Sequence, residues 1–406
     1  MVGGAGADSY VIGADSGRDT ILDADDQGTI ELAGRSLTGA GELVSTTAAT
    51  RPYTVWFDDS NAVQPIRYSL NTLTEKLTIT GAGSTVVVKD FQSGDLGIAT
   101  VNYLYAASAV TVSLAATGAQ ATGGSGLDTL RNIENLAGSR HDDTLTGNAL
   151  ANVLHGGQGH DTLIGGAGKD TLIGGAGVDL LQGGQDNDVY YVDDSADVVT
   201  ELPGEGTDLV QSAVSYTLPD NVENLTLTGT QRIDATGNAL NNLLTGNAAD
   251  NILSGGAGHD RLSGGAGNDT LIGGAGKDTY LFGRGSGRDT IVIDATWRDT
   301  GTDTATDVVQ FDKDVALEQL LFDLVEDNLE IRIVGTDDRL TIQDWTWNGV
   351  FPVDEFRTGD GHVLSGSQVH DLVDVSASLP PAPMWPSMVA SGDQAGLVAA
   401  NMGALI

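Results

Sequence analysis

Apolar residues in this chain fall in short alternating clusters separated by glycine-rich polar stretches, and in two places the spacing becomes strict. GGQGHDTLI, GGAGKDTLI and GGAGVDLLQ abut from Gly156 to Gln182, and GGAGHDRLS, GGAGNDTLI and GGAGKDTYL abut from Gly255 to Leu281. Self-similarity at a fixed period points to a stacked architecture in which each repeat buries its apolar face on the next. The first six residues of each nonapeptide are predicted to turn and the last three to form a minimal strand. With a strand period of two, only the eighth residue points inward: Leu163, Leu172, Leu181, Leu262, Leu271 or Tyr280.

Two nonapeptides would close one coil, so residues 18 apart should stack at about 4.8 Å. This predicts an all-β fold, a parallel β-roll (β-helix) with flanking β-hairpin caps. Weaker copies hold the same phase: GSRHDDTLT and GNALANVLH before the first array, GNALNNLLT and GNAADNILS before the second, with Asp or Asn always sixth. GGAGADSYVIGADSGRDTI at the N-terminus is similar to GGAGKDTYLFGRGSGRDTI from Gly273, so the chain is expected to start inside an array.

The expected divisions are 1–36, the end of an array; 37–110, a β-rich capping segment; 111–191, the first roll; and 192–236, a β-connector. The second roll follows at 237–293, a C-terminal β cap at 294–376, and a linker with a tail at 377–406. Alternation in LTITGAGSTVVVKDF and in LEIRIVGTDDRLTIQDWTW suggests hairpins with one apolar face. Val222, Leu225 and Leu227 mark short strands in the connector. LPPAPMWP reads as a Pro-rich linker.

Composition sharpens this picture. Gly numbers 56 and aromatics are only 5% of the chain, so a conventional large-residue core is thin. The net charge of −37 excludes nucleic acid as a natural partner and makes multivalent cations the natural counter-charge. With 40% hydrophobic residues and dispersed acids, the charge belongs to ordered sites rather than to an acidic tail. The absence of Cys excludes disulfides and thiolate sites. MVGGAGADSY shows no cleavable secretory signal, and no stretch reaches transmembrane length.

The repeat places acids in register. Asp161 should lie beside Asp179 and Asp170 beside Asp188, while Asp143 pairs with Asp161, Asn152 with Asp170, Asp260 with Asp278 and Asn251 with Asp269. Two carboxylates at interstrand separation repel unless a cation lies between them. An all-oxygen set completed by turn carbonyls suits Ca²⁺, which takes about six to eight oxygens, better than Mg²⁺, zinc or copper. The candidate carbonyls come from Gly156, Gly157, Gly159, Gly165, Gly166, Gly168, Gly174, Gly175 and Gly177 in the first array. In the second they come from Gly255, Gly256, Gly258, Gly264, Gly265, Gly267, Gly273, Gly274 and Gly276. Asp269 and Asp289 complete the second acid set, and Asp8, Asp19 and Asp128 are weaker candidates. An Asn at one edge should weaken a site, and Asp186, standing where Gly is expected, should distort the one near Asp188.

These tandem units resemble the RTX family of calcium-binding repeats. SGLDTLRNIENLAGSRHDDTLTGNALANVL is similar to the lead-in to such arrays in secreted proteases, and LTIQDWTWNGVFPVDEFRTGDGHVL to the hemolysin-type calcium-binding-related regions that follow them. The resemblance implies calcium-dependent folding, secretion to the extracellular space, and export by type I machinery through a C-terminal signal at the position of the tail.

No catalytic residue is named. His141, His155 and His160 form no HExxH and read as solvated turn residues; Lys169 and Lys277 sit in no phosphate loop, because Asp follows where Ser or Thr is required. Trp345, Trp347 and Phe351 read as cap core rather than a sugar-binding surface. Two roles remain: a calcium-responsive folding and secretion module, or the accessory domain of a larger secreted enzyme or adhesin with an unidentified glycan or surface partner.

Overall fold

The computed structural model describes residues 100–292, 307–345 and 351–378, less positions 105, 125, 129, 131 and 132, together with the backbone of nine strands between Asp8 and Val88. The chain forms two compact units, Met1–Thr207 and Asp208–Ile406. Each contains a stretch of parallel β-roll, built by the same local rule.

In the first unit the roll has two parallel faces. One contains Thr100–Asn102, Asn135–Ala137, Val153–Gln158, Thr171–Ala176 and Val189–Val192; the other contains Thr111–Ser113, Thr144–Thr146, Thr162–Ala167, Leu180–Gln185 and Val198–Thr200. Leu154 pairs in register with Leu172, and Leu163 with Leu181, so one coil is two nonapeptides. The inward column Val101, Leu136, Leu154, Leu172, Tyr190 faces a second column, Val112, Leu145, Leu163, Leu181, Val199. Every one of these side chains is buried. In the tandem nonapeptides, one buried apolar side chain per half-coil supplies the core, which is why so few aromatics suffice.

The second unit repeats the device. Val210, Leu225, Leu244, Leu262 and Tyr280 form one column, and Tyr216, Ala235, Leu253, Leu271 and Ile291 the other. The connector residue Leu225 thus belongs to the same stack as the repeats that follow. At the C-terminal end, Val309 and Phe356 extend the first column and Ile342 the second. There the sheet turns antiparallel, with Leu320–Val325, Asn328–Ile333 and Arg339–Ile342 in a meander. Trp345 is buried there, its ring 5.1 Å from Phe351 and 5.8 Å from Phe356, which is a core role. Trp347 lies outside the described residues. In the first unit the strands Ile66–Asn71, Lys76–Gly81 and Ser84–Val88 are likewise antiparallel neighbours.

Two features depart from the sequence expectation. The strands ahead of a Gly-Gly pair run six residues rather than three in Val153–Gln158, Thr162–Ala167, Thr171–Ala176, Leu180–Gln185, Ile252–Ala257 and Thr270–Ala275. The ladder continues through the glycines, as in the pairing Gly157↔Gly175, so the turn shrinks to the last three positions of the hexapeptide. The C-terminal cap also ends in an α-helix, Gly366–Ser378. Ser365 and Gln368 form a reciprocal cap, the Gln368 amide donating to Ser365 Oγ (3.2 Å) and the Ser365 amide to Gln368 Oε1 (2.8 Å). Val369 and Val373, four residues apart, bury the inner face of the helix.

Because each half-coil of the tandem repeats has a single buried apolar side chain, no second one in the same half-coil can fill a vacancy. Leu172→Ala is expected to lower unfolding free energy of the calcium-loaded chain by about 2–5 kcal/mol, whereas Thr171→Ala on the outer face should stay within about 0.5 kcal/mol; denaturant titration measures both.

Candidate metal centre

The sixth position of each repeat carries the chemistry. In the first unit the amide of Asp143 donates to Asp161 Oδ1 (2.7 Å), Asp161 to Asp179 Oδ1 (2.8 Å), Asn152 to Asp170 Oδ1 (2.7 Å) and Asp170 to Asp188 Oδ1 (2.7 Å). In the second the amide of Asn251 donates to Asp269 Oδ1 (2.7 Å), Asp260 to Asp278 Oδ1 (2.9 Å) and Asp269 to Asp289 Oδ1 (3.0 Å). One carboxylate oxygen therefore pins the turn of the preceding coil. The interaction is a charge-assisted hydrogen bond repeated down each side of the roll.

The other oxygen is different. Oδ2 of Asp161, Asp170, Asp179, Asp260, Asp269 and Asp289 is buried without a hydrogen-bond partner in the protein, and each of these residues is at most 2% exposed. Burying an ionised oxygen without compensation is strongly unfavourable. Desolvation accordingly pushes the carboxyls above their usual range, Asp161 to about 7, Asp170, Asp179, Asp260 and Asp269 to about 6, and Asp289 to about 8. The neighbouring carboxylates of Asp143 and Asp179 raise Asp161 further.

Glycine keeps the space beside this oxygen open. A Cβ on Gly156 would overlap Asp161 Oδ2 and the carbonyl oxygen of Gly174, one coil on; at Gly165 it would overlap Asp170 Oδ2 and approach the Gly183 carbonyl. The first Gly of the pair is thus required by space. The second and fourth positions are required by backbone, with φ of +117° at Gly157 and +119° at Gly159. Carboxylate and carbonyl oxygens from two successive coils converge on one cradle. An oxygen-only, anionic, otherwise uncompensated donor set fits Ca²⁺.

The remaining sequence candidates divide by their partners. Asp143 is satisfied by the protein itself: Oδ1 accepts from the Val110 amide (2.7 Å) and Ser139 Oγ (2.9 Å), and Oδ2 from the Ser139 amide. Asn152 and Asn251 turn their Nδ2 towards the preceding coil, donating to the Glu134 carbonyl (2.8 Å) and the Ile233 carbonyl (2.6 Å). The Oδ1 of Asn152 and Asn251 in turn accepts the Asn148 (2.7 Å) and Asn247 (2.9 Å) amides, so the oxygens of these three side chains are taken up by protein donors in this geometry. Asp128 is in neither ladder: it ends a two-stranded antiparallel pair and accepts from Thr122 Oγ1 (2.9 Å). Asp8 and Asp19 belong to strands whose side chains lie outside the described residues. Asp186 adopts φ of +75°, as Gly would, and Asp188 keeps its ladder hydrogen bond. The exposed His160 accepts the Val178 amide at Nδ1 (2.9 Å), a backbone contact across one coil.

Three ladder members escaped the sequence reading. Asp197 accepts the Asp179 amide (3.0 Å), Asp307 accepts the Asp278 amide (2.9 Å), and the Asn242 amide donates to Asp260 Oδ1 (2.7 Å). Asp197 and Asn242 could have been found by counting 18 from Asp179 and Asp260. Asp307 stands 29 residues after Asp278, so no count finds it.

The raised carboxyls set the sign of a pH effect. Between about pH 4, where an exposed Asp ionises, and about pH 7, the folded chain without calcium binds more protons than the unfolded one, so its stability falls as pH rises. In chelator, β-structure by circular dichroism is expected to increase on acidification from pH 8 to 5, while at pH 5 calcium affinity should fall because protons compete for the same oxygens. Gly156→Ala is expected to weaken calcium binding by calorimetry at least about tenfold, about 1.4 kcal/mol; Gly118→Ala, where a Cβ meets nothing within 4 Å, should leave it unchanged.

Comparison with known proteins agrees with this chemistry. The family model described as the RTX calcium-binding nonapeptide repeat (4 copies) matches residues 137–172, 164–199, 236–271 and 254–291, and that of the haemolysin-type calcium binding protein related domain matches 328–368. The endo-1,3-1,4-beta-glycanase ExsH of Rhizobium meliloti (strain 1021) is 45% identical over 58 residues, 14% of this chain and 12% of that protein. The endo-1,3-1,4-beta-glycanase EglC of the same organism is 36% identical over 59 residues, again 14% and 12%. The chain therefore spans about an eighth of the length of these relatives. The extracellular lipase LipA from Serratia marcescens aligns over 58% of this chain and 41% of its own with 19% identity and a TM-score of 0.17, too low to support a comparison of architecture. The nonapeptide matches lie over both acid ladders and the related domain over the C-terminal cap, so the chain carries RTX calcium-binding nonapeptide repeats in both rolls and a haemolysin-type calcium binding protein related domain at 328–368.

Proposed function

We propose that calcium binding by the two acid ladders folds this chain outside the cell after type I export. The observation that carries this reading is the set of six buried aspartates whose second oxygen has no partner in the protein. In calcium-poor cytoplasm their mutual repulsion, within a chain of net charge −37, opposes coiling. A divalent ion supplies the missing compensation, so binding free energy becomes folding free energy. Asp161, Asp170, Asp179 and Asp188 would hold ions in the first array and Asp260, Asp269, Asp278 and Asp289 in the second, with turn carbonyls of the paired glycines. The segment 377–406 is the proposed export signal.

A second reading concerns the larger context. The shared segment with two proteins named as endo-1,3-1,4-beta-glycanases favours an accessory role in a secreted, glycan-acting protein. Retention on immobilised mixed-linkage β-glucan in calcium, lost in chelator, would support that role; no retention under either condition counts against it.

Calcium titration of the apo chain is expected to be saturable and cooperative, with the β circular-dichroism signal rising in step and collapsing on chelation. A spectrum indifferent to chelator and to added calcium would sink the proposal. In a cell carrying a type I exporter, deletion of 377–406 should leave the chain inside, and export of the truncated chain would refute the signal assignment.

A further inference from the structure

Each array opens with one coil whose turns differ from the rest. These are Gly138–His155 in the first unit and Gly237–Ser254 in the second, and in both the second Gly of the pair is replaced, by Ser139, Asn148, Asn238 and Asn247. The replacing side chain closes its own turn. Ser139 Oγ accepts the His141 amide (3.1 Å), Asn148 Oδ1 the Leu150 amide (2.8 Å), Asn238 Oδ1 the Leu240 amide (2.8 Å) and Asn247 Oδ1 the Ala249 amide (2.9 Å).

The sixth position is equally self-contained. Asn152, Asn242 and Asn251 accept at Oδ1 the amide of the residue four before them, Asn148 (2.7 Å), Asn238 (2.7 Å) and Asn247 (2.9 Å). Their Nδ2 groups donate to carbonyls of the preceding coil, Glu134 (2.8 Å), Glu223 (3.1 Å) and Ile233 (2.6 Å). Asp143 has both oxygens occupied by protein donors. So the atom beside the first Gly is hydrogen-bonded in these four turns, whereas in the aspartate turns of the next coil it is the unpartnered Oδ2.

From this contrast we infer that the opening coil of each array is independent of calcium and serves as the template on which the calcium-dependent coils are laid. The template presents the amides of Asp143, Asn152, Asn242 and Asn251 to Oδ1 of Asp161, Asp170, Asp260 and Asp269. The first aspartates of each array therefore meet a preformed hydrogen-bond donor before any ion arrives. Ordering would proceed from Gly156 and from Gly255 towards the C-terminus of each array, and the loop-closure entropy of the first coil would not have to be offset by ion binding. The inference rests on the calcium-dependent folding proposed above and adds where it starts.

Hydrogen exchange of the full chain, read by mass spectrometry in chelator and at graded Ca²⁺, tests it. In chelator the amides of 138–155 and 237–254 are expected to exchange at least about tenfold more slowly than those of 156–188 and 255–289, with the latter gaining protection as Ca²⁺ is added. Asn152→Asp with Asn242→Asp removes the Nδ2 donors and adds charge; it should abolish the protection seen in chelator, with saturating Ca²⁺ restoring it. Uniformly rapid exchange in chelator, with all four segments ordering at one Ca²⁺ concentration, overturns the inference and leaves calcium-dependent folding standing. Uniform protection in chelator overturns both.

Discussion

The structure depends on a buried carboxylate used asymmetrically. One oxygen of each ladder aspartate accepts the amide of the residue a coil earlier, as Asp161 does for Asp143, and so fixes the stacking of turns. In Asp161, Asp170, Asp179, Asp260 and Asp269 the other oxygen is held beside a glycine without a protein donor. The first contact cannot form without burying the second atom, so stacking and the need for a cation are one constraint. The apolar columns alone, a single Leu per half-coil, are a narrow core to set against that electrostatic cost.

Under the proposed calcium-dependent folding, the arrangement would convert an ion concentration into a degree of order. A coil that gains hydrogen bonds, buries a leucine and sheds carboxylate repulsion in the same step leaves few stable intermediates between open and stacked. The turns built on Asn148, Asn238 and Asn247 achieve the same backbone path by neutral hydrogen bonds. In these turns the sixth position closes without a charged side chain.

Much of the fold was legible because the roll is quasi-one-dimensional: its contacts are local in a frame of nine and 18 residues, and Leu163, Leu172 and Leu262 follow from period alone. Legibility stopped where the count stopped. Asp307 enters the second ladder across an insertion that erases the phase, and Asp128 sits in a perfect hexapeptide motif, GGSGLD, that forms an antiparallel pair instead of a coil. The helix Gly366–Ser378 is encoded by Ser365, Gln368, Val369 and Val373, within a segment whose preceding residues alternate with strand period.

By itself, then, the sequence determined the coil length, the inward column, the glycine-bounded turns and the oxygen-rich, calcium-suited character of the sixth position, because each follows from local periodicity and side-chain chemistry. Only the tertiary structure decided which of those sixth-position groups retain a free oxygen. Asp161 and Asn152 occupy the same place in the repeat and are equally buried, yet one leaves an acceptor unpartnered and the other spends its amide on the Glu134 carbonyl. That distinction depends on donors supplied from neighbouring turns and coils, which no single nonapeptide contains.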